Sequence, residues 1–167
     1  MIKAFNGKTP QIDDSACISN SAYIVGDVVI GENSTVWPGA VIRGDVGRIV
    51  IGSNTHVEDN CVVHGGNTQI GNNVIVGHGA VIHSCAIGND VLIGMNATIL
   101  HKAEIDSHVV IGAHALIEKE THVPTESLVV GAPATIKKLT ERSKPWAYRG
   151  NTGVYTNLAR EYMKNGF

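Results

Sequence analysis

The sequence predicts an all-β chain that coils as a parallel β-helix and ends in an α-helix. Isoleucine or valine recurs at a spacing of six residues, at 20 positions between Ile12 and Val129. A small or β-branched residue follows four positions after these guide residues, and aromatic residues make up only 5% of the chain, which leaves aliphatic side chains to fill the core. A period of six fits neither an amphipathic helix nor an alternating strand. It fits a repeating unit made of one short strand and one corner. Three such units would close one triangular coil of about 18 residues.

The guide residues fall into four runs, which are separated by three irregular steps. The runs are Ile12, Ile18, Ile24, Ile30, Val36 and Ile42; Ile51, Val57 and Val63; Ile70, Val76 and Ile82; and Ile87, Ile93, Ile99, Ile105, Ile111, Ile117, Val123 and Val129. We name the three faces of the prism A, B and C, with Ile51, Val57 and Val63 as their respective references. Glycine follows several guides, as at Gly52, and predicts the backbone freedom of a corner there.

The repeat ends before the last part of the chain, where the pattern changes to a helical one. The segment from Val154 to Lys164 is flanked by helix start and stop signals. Tyr155 and Tyr162 are seven residues apart, which predicts one stripe of this helix packed on the coil. We therefore expect a β-helix domain over residues 1–134 and a helical extension over residues 135–167.

Composition excludes several classes of function. The net charge is −2 and no run of Lys or Arg resembles a phosphate-binding stripe, so nucleic acid is not an expected partner. No apolar run approaches the ~18 residues that a membrane span needs. Three cysteines cannot all pair within one chain, and the first residues lack the apolar core of a signal peptide, so we expect a cytoplasmic protein.

The irregular steps all fall at one corner, where face C turns into face A. The residues directly after the guides at this corner are Arg43, His64 and His83. The register stacks them on successive coils, at the ~4.8 Å spacing of neighbouring strands. His64 and His83 can therefore approach one metal ion.

His78 cannot easily join this column, because it lies two residues after a guide on face B. Asp59 has the corresponding position one coil earlier, and Glu58 precedes it. A third ligand could instead reach His64 and His83 from a neighbouring subunit, if face B of one subunit meets the C edge of the next. In a homotrimer with three-fold symmetry, this arrangement would give three metal sites between subunits.

These residues resemble the gamma-class carbonic anhydrase group of the hexapeptide-repeat, left-handed β-helix proteins. The matching motifs are Arg43-Gly44-Asp45, Glu58-Asp59, His64, His78 and His83. The resemblance implies a left-handed coil and a site for Zn²⁺, or else Co²⁺ or Fe²⁺. It also implies that His64 and His83 come from one subunit and His78 from the next, and that Arg43 and Asp45 form an ion pair between subunits.

The activity implied by the resemblance is hydration of carbon dioxide to bicarbonate. Three neutral imidazoles and an open position on the metal make water nucleophilic near neutral pH. Asp59 would orient the water or accept its proton, and Arg43 would offset the anionic charge. Tyr155 falls where related chains carry a tyrosine near the active site.

The chain departs from the family pattern at two points. Glu58 stands where the family has glutamine, so a carboxylate replaces an amide. Only 13 residues separate His64 from His78, and they include no acidic loop of the kind that carries the usual proton-shuttle glutamate. We therefore hypothesise that Glu58 takes over the shuttle.

Three other functions stay open at this point. A hexapeptide acyltransferase would use an acyl-CoA with histidine as a general base, and the segment Val130-Gly131-Ala132-Pro133-Ala134 occurs in both groups. The paired histidines and the Arg43 and Asp45 motif favour a metal site, which an acyltransferase does not require. A metal-dependent thioesterase and a metal-bearing trimer without catalysis are the other two.

The remaining histidines and cysteines carry no chemistry in this interpretation. The histidines predicted to be solvated or satisfied structurally are His56, His101, His108, His114 and His122. Cys61 occupies the small-residue position of the core, while Cys85, near His83, is a conceivable thiol ligand.

Overall fold

A computed structural model describes residues 1–140 and 152–166, and these form a left-handed parallel β-helix of about seven coils with one helix near the C-terminus. The fold class predicted from the repeat is thereby confirmed. Its strands are β1 (Ile2–Lys3), β2 (Gln11–Ile12), β3 (Cys17–Ile18), β4 (Tyr23–Ile30), β5 (Thr35–Val36), β6 (Val41–Ile51), β7 (His56–Val57), β8 (Val62–His64), β9 (Thr68–Ile70), β10 (Ile75–Val76), β11 (Val81–His83), β12 (Ala86–Ile87), β13 (Leu92–Ile93), β14 (Thr98–Ile99), β15 (Glu104–Ile105), β16 (Val110–Ile111), β17 (Leu116–Ile117), β18 (His122–Val123), β19 (Ser127–Val130) and β20 (Thr135–Lys138).

Faces A and C form one continuous sheet, and face B forms a second. The 12-stranded sheet of faces A and C is joined through β6, which runs from Val41 on face C to Ile51 on face A. The first irregular step of the repeat is therefore a continuous strand and not a turn. The 8-stranded sheet of face B runs from β3 to β20. Because the strands of successive coils pair in parallel and in register, each guide residue lies directly beside the next one on its face.

The guide residues fill the interior of the prism. All are buried except Ile12 and Ile18, which belong to the first coil and have a neighbouring coil on one side only. The small residues of the repeat, such as Ala80 and Cys61, are buried with them. A β-branched side chain on a short strand and a small residue at the corner together fill the narrow interior of the prism.

The glycine that follows a guide has a different structural role from the predicted one, which was backbone freedom at a corner. Gly52 does not adopt a positive φ; that conformation belongs to Asn54, two residues later, with φ 52°. A Cβ at Gly52 would lie 2.7 Å from the backbone carbon of Gly71 in the next coil. Glycine is thus needed here for the close approach of two coils, while asparagine tolerates the left-handed backbone.

The C-terminal helix, Thr152–Lys164, packs against β3 and β5 at the first coils of face B. Thr156 Oγ1 donates a 3.3 Å hydrogen bond to the carbonyl of Asn33, and an Arg160 Nη2 group donates to Asn33 Oδ1 at 2.9 Å. No helix in the described ranges has the length and apolarity that a bilayer span requires. Since β20 extends face B past residue 134 and residues 141–151 lie outside the described part of the chain, the division at 134 stays a prediction.

Because the guide residues are buried, truncating one of them should lower the free energy of unfolding strongly. Ile93 is fully buried, so Ile93→Ala should lower the free energy of unfolding by about 2–5 kcal/mol through lost burial and a cavity. Val46→Ala is the control, because Val46 is 71% exposed, and its effect should stay within about 0.5 kcal/mol. Denaturant titrations at one protein concentration measure both. Equal losses for the two variants would contradict this description of the core.

Candidate functional site

His64 and His83 lie side by side at the corner between faces C and A. In the parallel register His64 pairs with Arg43 on one side and with His83 on the other. The two imidazole rings have centroids 5.5 Å apart and planes inclined by 44°. Gly65, with φ 101°, follows His64, and a Cβ at this position would lie 3.1 Å from His83 Cε1. A glycine therefore leaves room for the His83 ring.

Arg43 and Asp45 complete this column within the same chain. The guanidinium of Arg43 reaches Asp45 Oδ2 through Nε and Nη2, both at 3.1 Å. His64 Nε2 lies 3.2 Å from Asp45 Oδ1 and 3.3 Å from Arg43 Nη2. Partial burial raises the pKa of Asp45, but its own backbone N–H, Arg43 and His64 outweigh that effect, so the pKa lies below its usual value. Arg43 and Asp45 thus contact each other within this chain, and the ion pair between subunits implied by the resemblance stays a prediction.

His78 lies apart from this column, after β10 on face B. Its Nδ1 is 2.9 Å from Asp59 Oδ2 and its Nε2 is 3.2 Å from Glu58 Oε2. Its backbone N–H donates a 3.0 Å hydrogen bond to the same Glu58 oxygen. Within residues 1–140 and 152–166 no three potential ligands converge on one point. The chain therefore carries its candidate imidazoles in two groups, the pair of His64 and His83 and the single ring of His78.

Glu58 is a buried carboxylate between His78 and the C-terminal helix. Its side chain is only 4% exposed, and Oε1 makes no hydrogen bond to any residue in the described part of the chain. The helix brings Tyr155 against it. Burial, followed by the hydrogen bond with Glu58 and the charge of that carboxylate, raises the pKa of Tyr155 to about 12. The phenol is thus protonated at neutral pH and can donate a hydrogen bond.

The side chains around Glu58 enclose a cleft of about 310 Å³. Carboxylates and His78 form one side of it, and the aromatic and apolar side chains of Trp37, Tyr155 and Leu158 form the other. An additional groove of about 290 Å³ continues from Glu58 and Tyr155 along face B. A polar group in such a cleft meets a surface that is mostly apolar and partly shielded from water.

His56 also belongs to this region. The sequence predicts it to be solvated or satisfied structurally, and the second holds, since its side chain is fully buried beneath the helix. Its ring contact with Tyr155 is what sequence reasoning missed. His56 Nδ1 lies 2.8 Å from Thr35 Oγ1, which accepts a 2.8 Å hydrogen bond from Trp37 Nε1. Its place on face B, in register with Thr35, is visible in the repeat, but the position of the covering helix is not.

Three of the other histidines, His101, His114 and His122, are exposed. His101 lines a cleft of about 550 Å³ together with His83, and His122 forms an ion pair with Asp106 at 3.2 Å. Burial raises the pKa of both Cys61 and Cys85 to about 12. The side chain of Cys85 belongs to the buried hydrophobic core.

The two groups have the chemistry of a divided metal site. His64 and His83 offer two imidazoles on one edge, while His78 is 52% exposed on another edge and can face an adjoining molecule. Asp59 holds Nδ1 of His78, in the way that carboxylates orient metal-binding imidazoles. Neutral imidazoles in this number suit Zn²⁺, Co²⁺ or Fe²⁺. The residues present fit a metal ion provided that a second copy of the chain supplies the missing ligands.

Two comparisons identify sequence relatives and a matching family. The family described as bacterial transferase hexapeptide (six repeats) matches residues 9–44 and 84–119. Gamma carbonic anhydrase 2, mitochondrial, from Arabidopsis thaliana is 37% identical over 92% of this chain, which spans 58% of that protein. Carnitine operon protein CaiE from Escherichia coli O157:H7 is 33% identical over 93% of this chain and 81% of its own length. The chain thus covers less than two thirds of the plant relative.

Solved structures show the same architecture. A hexapeptide transferase family protein from Anaplasma phagocytophilum superimposes with a TM-score of 0.93 at 34% identity, covering 96% of this chain and 97% of that one. AntD, an N-acyltransferase from Bacillus cereus, has a TM-score of 0.69 at 17% identity, over 93% of this chain and 90% of its own, which is a likeness of fold alone.

Proposed function

The chain belongs to the hexapeptide-repeat proteins, in their gamma carbonic anhydrase-like group, and from this premise we propose that it is a metal-dependent lyase that hydrates carbon dioxide as a homotrimer. The observation that carries the proposal is the division of its imidazoles. His64 and His83 lie together on one edge, and His78 lies on another with a carboxylate on each ring nitrogen. Neither edge is a complete metal site by itself.

The outward side chains of the three faces support a trimer. Each strand places one residue outward just before its guide. On face B these include Ile75, Leu92, Val110 and Leu128, and on face C Val41, Val62, Val81 and Leu116. Face A is mixed, with Gln69, Glu104 and His122 beside Val29, Val50 and Ala86. Two largely apolar faces and one mixed face suit a closed ring, in which face B of each copy covers face C of the next and face A meets water.

This packing brings the two edges together. His78 of one copy would join His64 and His83 of its neighbour, which gives three sites in each trimer. A bound Zn²⁺, or Co²⁺ or Fe²⁺, would supply the Lewis acidity that makes water nucleophilic at neutral pH. Asp59 would hold Nδ1 of His78, and the metal would replace Glu58 Oε2 as the partner of Nε2. The Arg43 guanidinium would attract the bicarbonate product.

Glu58 is the group proposed to move the proton. Its Oε1 is buried and free to accept a hydrogen bond, while Tyr155 interacts with the same carboxylate from the helix. A carboxylate in this cleft can accept a proton from the reacting water and release it to solvent, which an amide cannot do. Tyr155 would orient the carboxylate for this transfer.

Acyl transfer from acyl-CoA is the second candidate function. The name of one structural relative at 34% identity, a hexapeptide transferase family protein, favours it. It needs no metal, however, and gives no reason for the pairing of His64 with His83.

The three cysteines are all free thiols, which agrees with the proposed reducing cytoplasm.

Mixed trimers test whether the site is shared. We expect His64→Ala and His78→Ala to abolish metal-dependent hydration separately, and trimers purified through two different tags, one on each variant, to recover about one third of the parental rate. In such a ring, one interface joins an intact His78 to an intact His64. Trimers of His64→Ala with His83→Ala are the matched control and should stay inactive, because every interface then lacks a ligand. An inactive first mixture would overturn the shared site.

Glu58→Gln tests the proton path. The amide keeps the size of the side chain but cannot take up a proton, so stopped-flow hydration at pH 7.5 should slow by about 100-fold and recover in concentrated imidazole buffer. Glu104→Gln, an exposed acid on face A, is the control and should hydrate carbon dioxide at the parental rate. A Glu58→Gln protein that matches or exceeds the parent would refute this role.

A further inference from the structure

We propose that His56 is a positioning residue, which acts through Tyr155 to fix the carboxylate of Glu58. The inference rests on the proposed function for its catalytic consequence. Its structural part, the placement of Tyr155, stands on contacts within the chain and can be tested without metal or substrate.

The support beneath Tyr155 is a polar pair on face B. Thr35 and His56 are neighbours in the register of β5 and β7, and the hydroxyl of Thr35 lies 2.8 Å from His56 Nδ1. Trp37 donates its indole N–H to the same hydroxyl at 2.8 Å. These bonds restrict the His56 ring to one orientation, because the buried side chain has no room to rotate away.

Tyr155 lies on this support. Its ring centroid is 5.3 Å from that of His56, with planes inclined by 31°, and 6.2 Å from that of Trp37 in an edge contact. Tyr155 and Glu58 line the same cleft, and the carboxylate of Glu58 contacts both the backbone and the ring of His78. A shift of the Tyr155 ring would therefore move its hydroxyl relative to Glu58.

A purely structural role would not require a histidine here. On later coils of face B the same outward position holds Ile75, Leu92 and Val110, which can pack a helix without any polar group to satisfy. Burying an imidazole costs free energy unless its nitrogens are hydrogen-bonded. Thr35 and His56 are the polar residues at this position, and they contact Trp37 and Tyr155. Their placement points to orientation of the Tyr155 phenol as their role.

Kinetics can separate positioning from packing. We expect His56→Leu to lower kcat for carbon dioxide hydration about tenfold, with KM within about twofold of the parent, since a misplaced group slows the reaction step more than substrate binding. In a Tyr155→Phe background, His56→Leu should cause no further loss. Thr35→Val removes the bond to His56 without removing its ring and should act in the same direction. His122→Leu, on exposed strand β18 of face A, is the control and should change nothing.

Fluorine NMR gives a readout that needs no activity. With 3-fluorotyrosine at all four tyrosines, the resonance of position 155 is assigned by its absence in Tyr155→Phe. His56→Leu and Thr35→Val should each shift that resonance, and His122→Leu should not. Two results would overturn the positioning role. One is a resonance of position 155 that does not shift in His56→Leu. The other is a further loss of kcat when His56→Leu is added to Tyr155→Phe. A parent chain without hydration activity would refute the proposed function, and the fluorine shift alone would then decide the role of His56.

Discussion

The hydrogen bonds between successive coils hold each residue directly beside its counterpart one coil away, and the site depends on this register. Arg43, His64 and His83 form one line because β6, β8 and β11 pair without slippage. Thr35 and His56 form another on face B for the same reason. A parallel β-helix offers few ways to adjust such lines, since a slip of one residue would turn every guide side chain out of the core.

The register also explains why much of the molecule can be predicted from its sequence. Ile or Val at the guide positions identifies the faces, and the irregular steps identify the corner at which His64 and His83 meet. The corner conformation was harder to predict, because a glycine after a guide, such as Gly52, is compatible with both a positive φ and a close approach of coils. The structure shows the second, with Asn54 in the left-handed region.

Contacts made by the C-terminal helix could not be predicted in this way. The repeat gives the position of His56 on face B, but the repeat has no register with the helix, which begins at Thr152, far later in the chain. Burial of Glu58 and of His56 therefore became visible only with Tyr155 in place. The helix converts an ordinary edge of the prism into a cleft with a buried carboxylate.

Both groups of imidazoles have partners within one chain, which bears on assembly. His64 contacts Asp45 and Arg43, and His78 contacts Glu58 and Asp59. An isolated chain can satisfy these side chains without metal, and in the proposed function a metal ion would gain its full set of ligands only when two copies meet. Metal affinity and subunit association should accordingly reinforce one another.

Native mass spectrometry of the zinc-loaded protein tests this shared site most directly. Our account predicts trimers that carry three Zn²⁺ ions and, on dilution, monomers that carry none. Monomers that retain one tightly bound Zn²⁺ ion each, or trimers that bind no metal under conditions that saturate related sites, would contradict it.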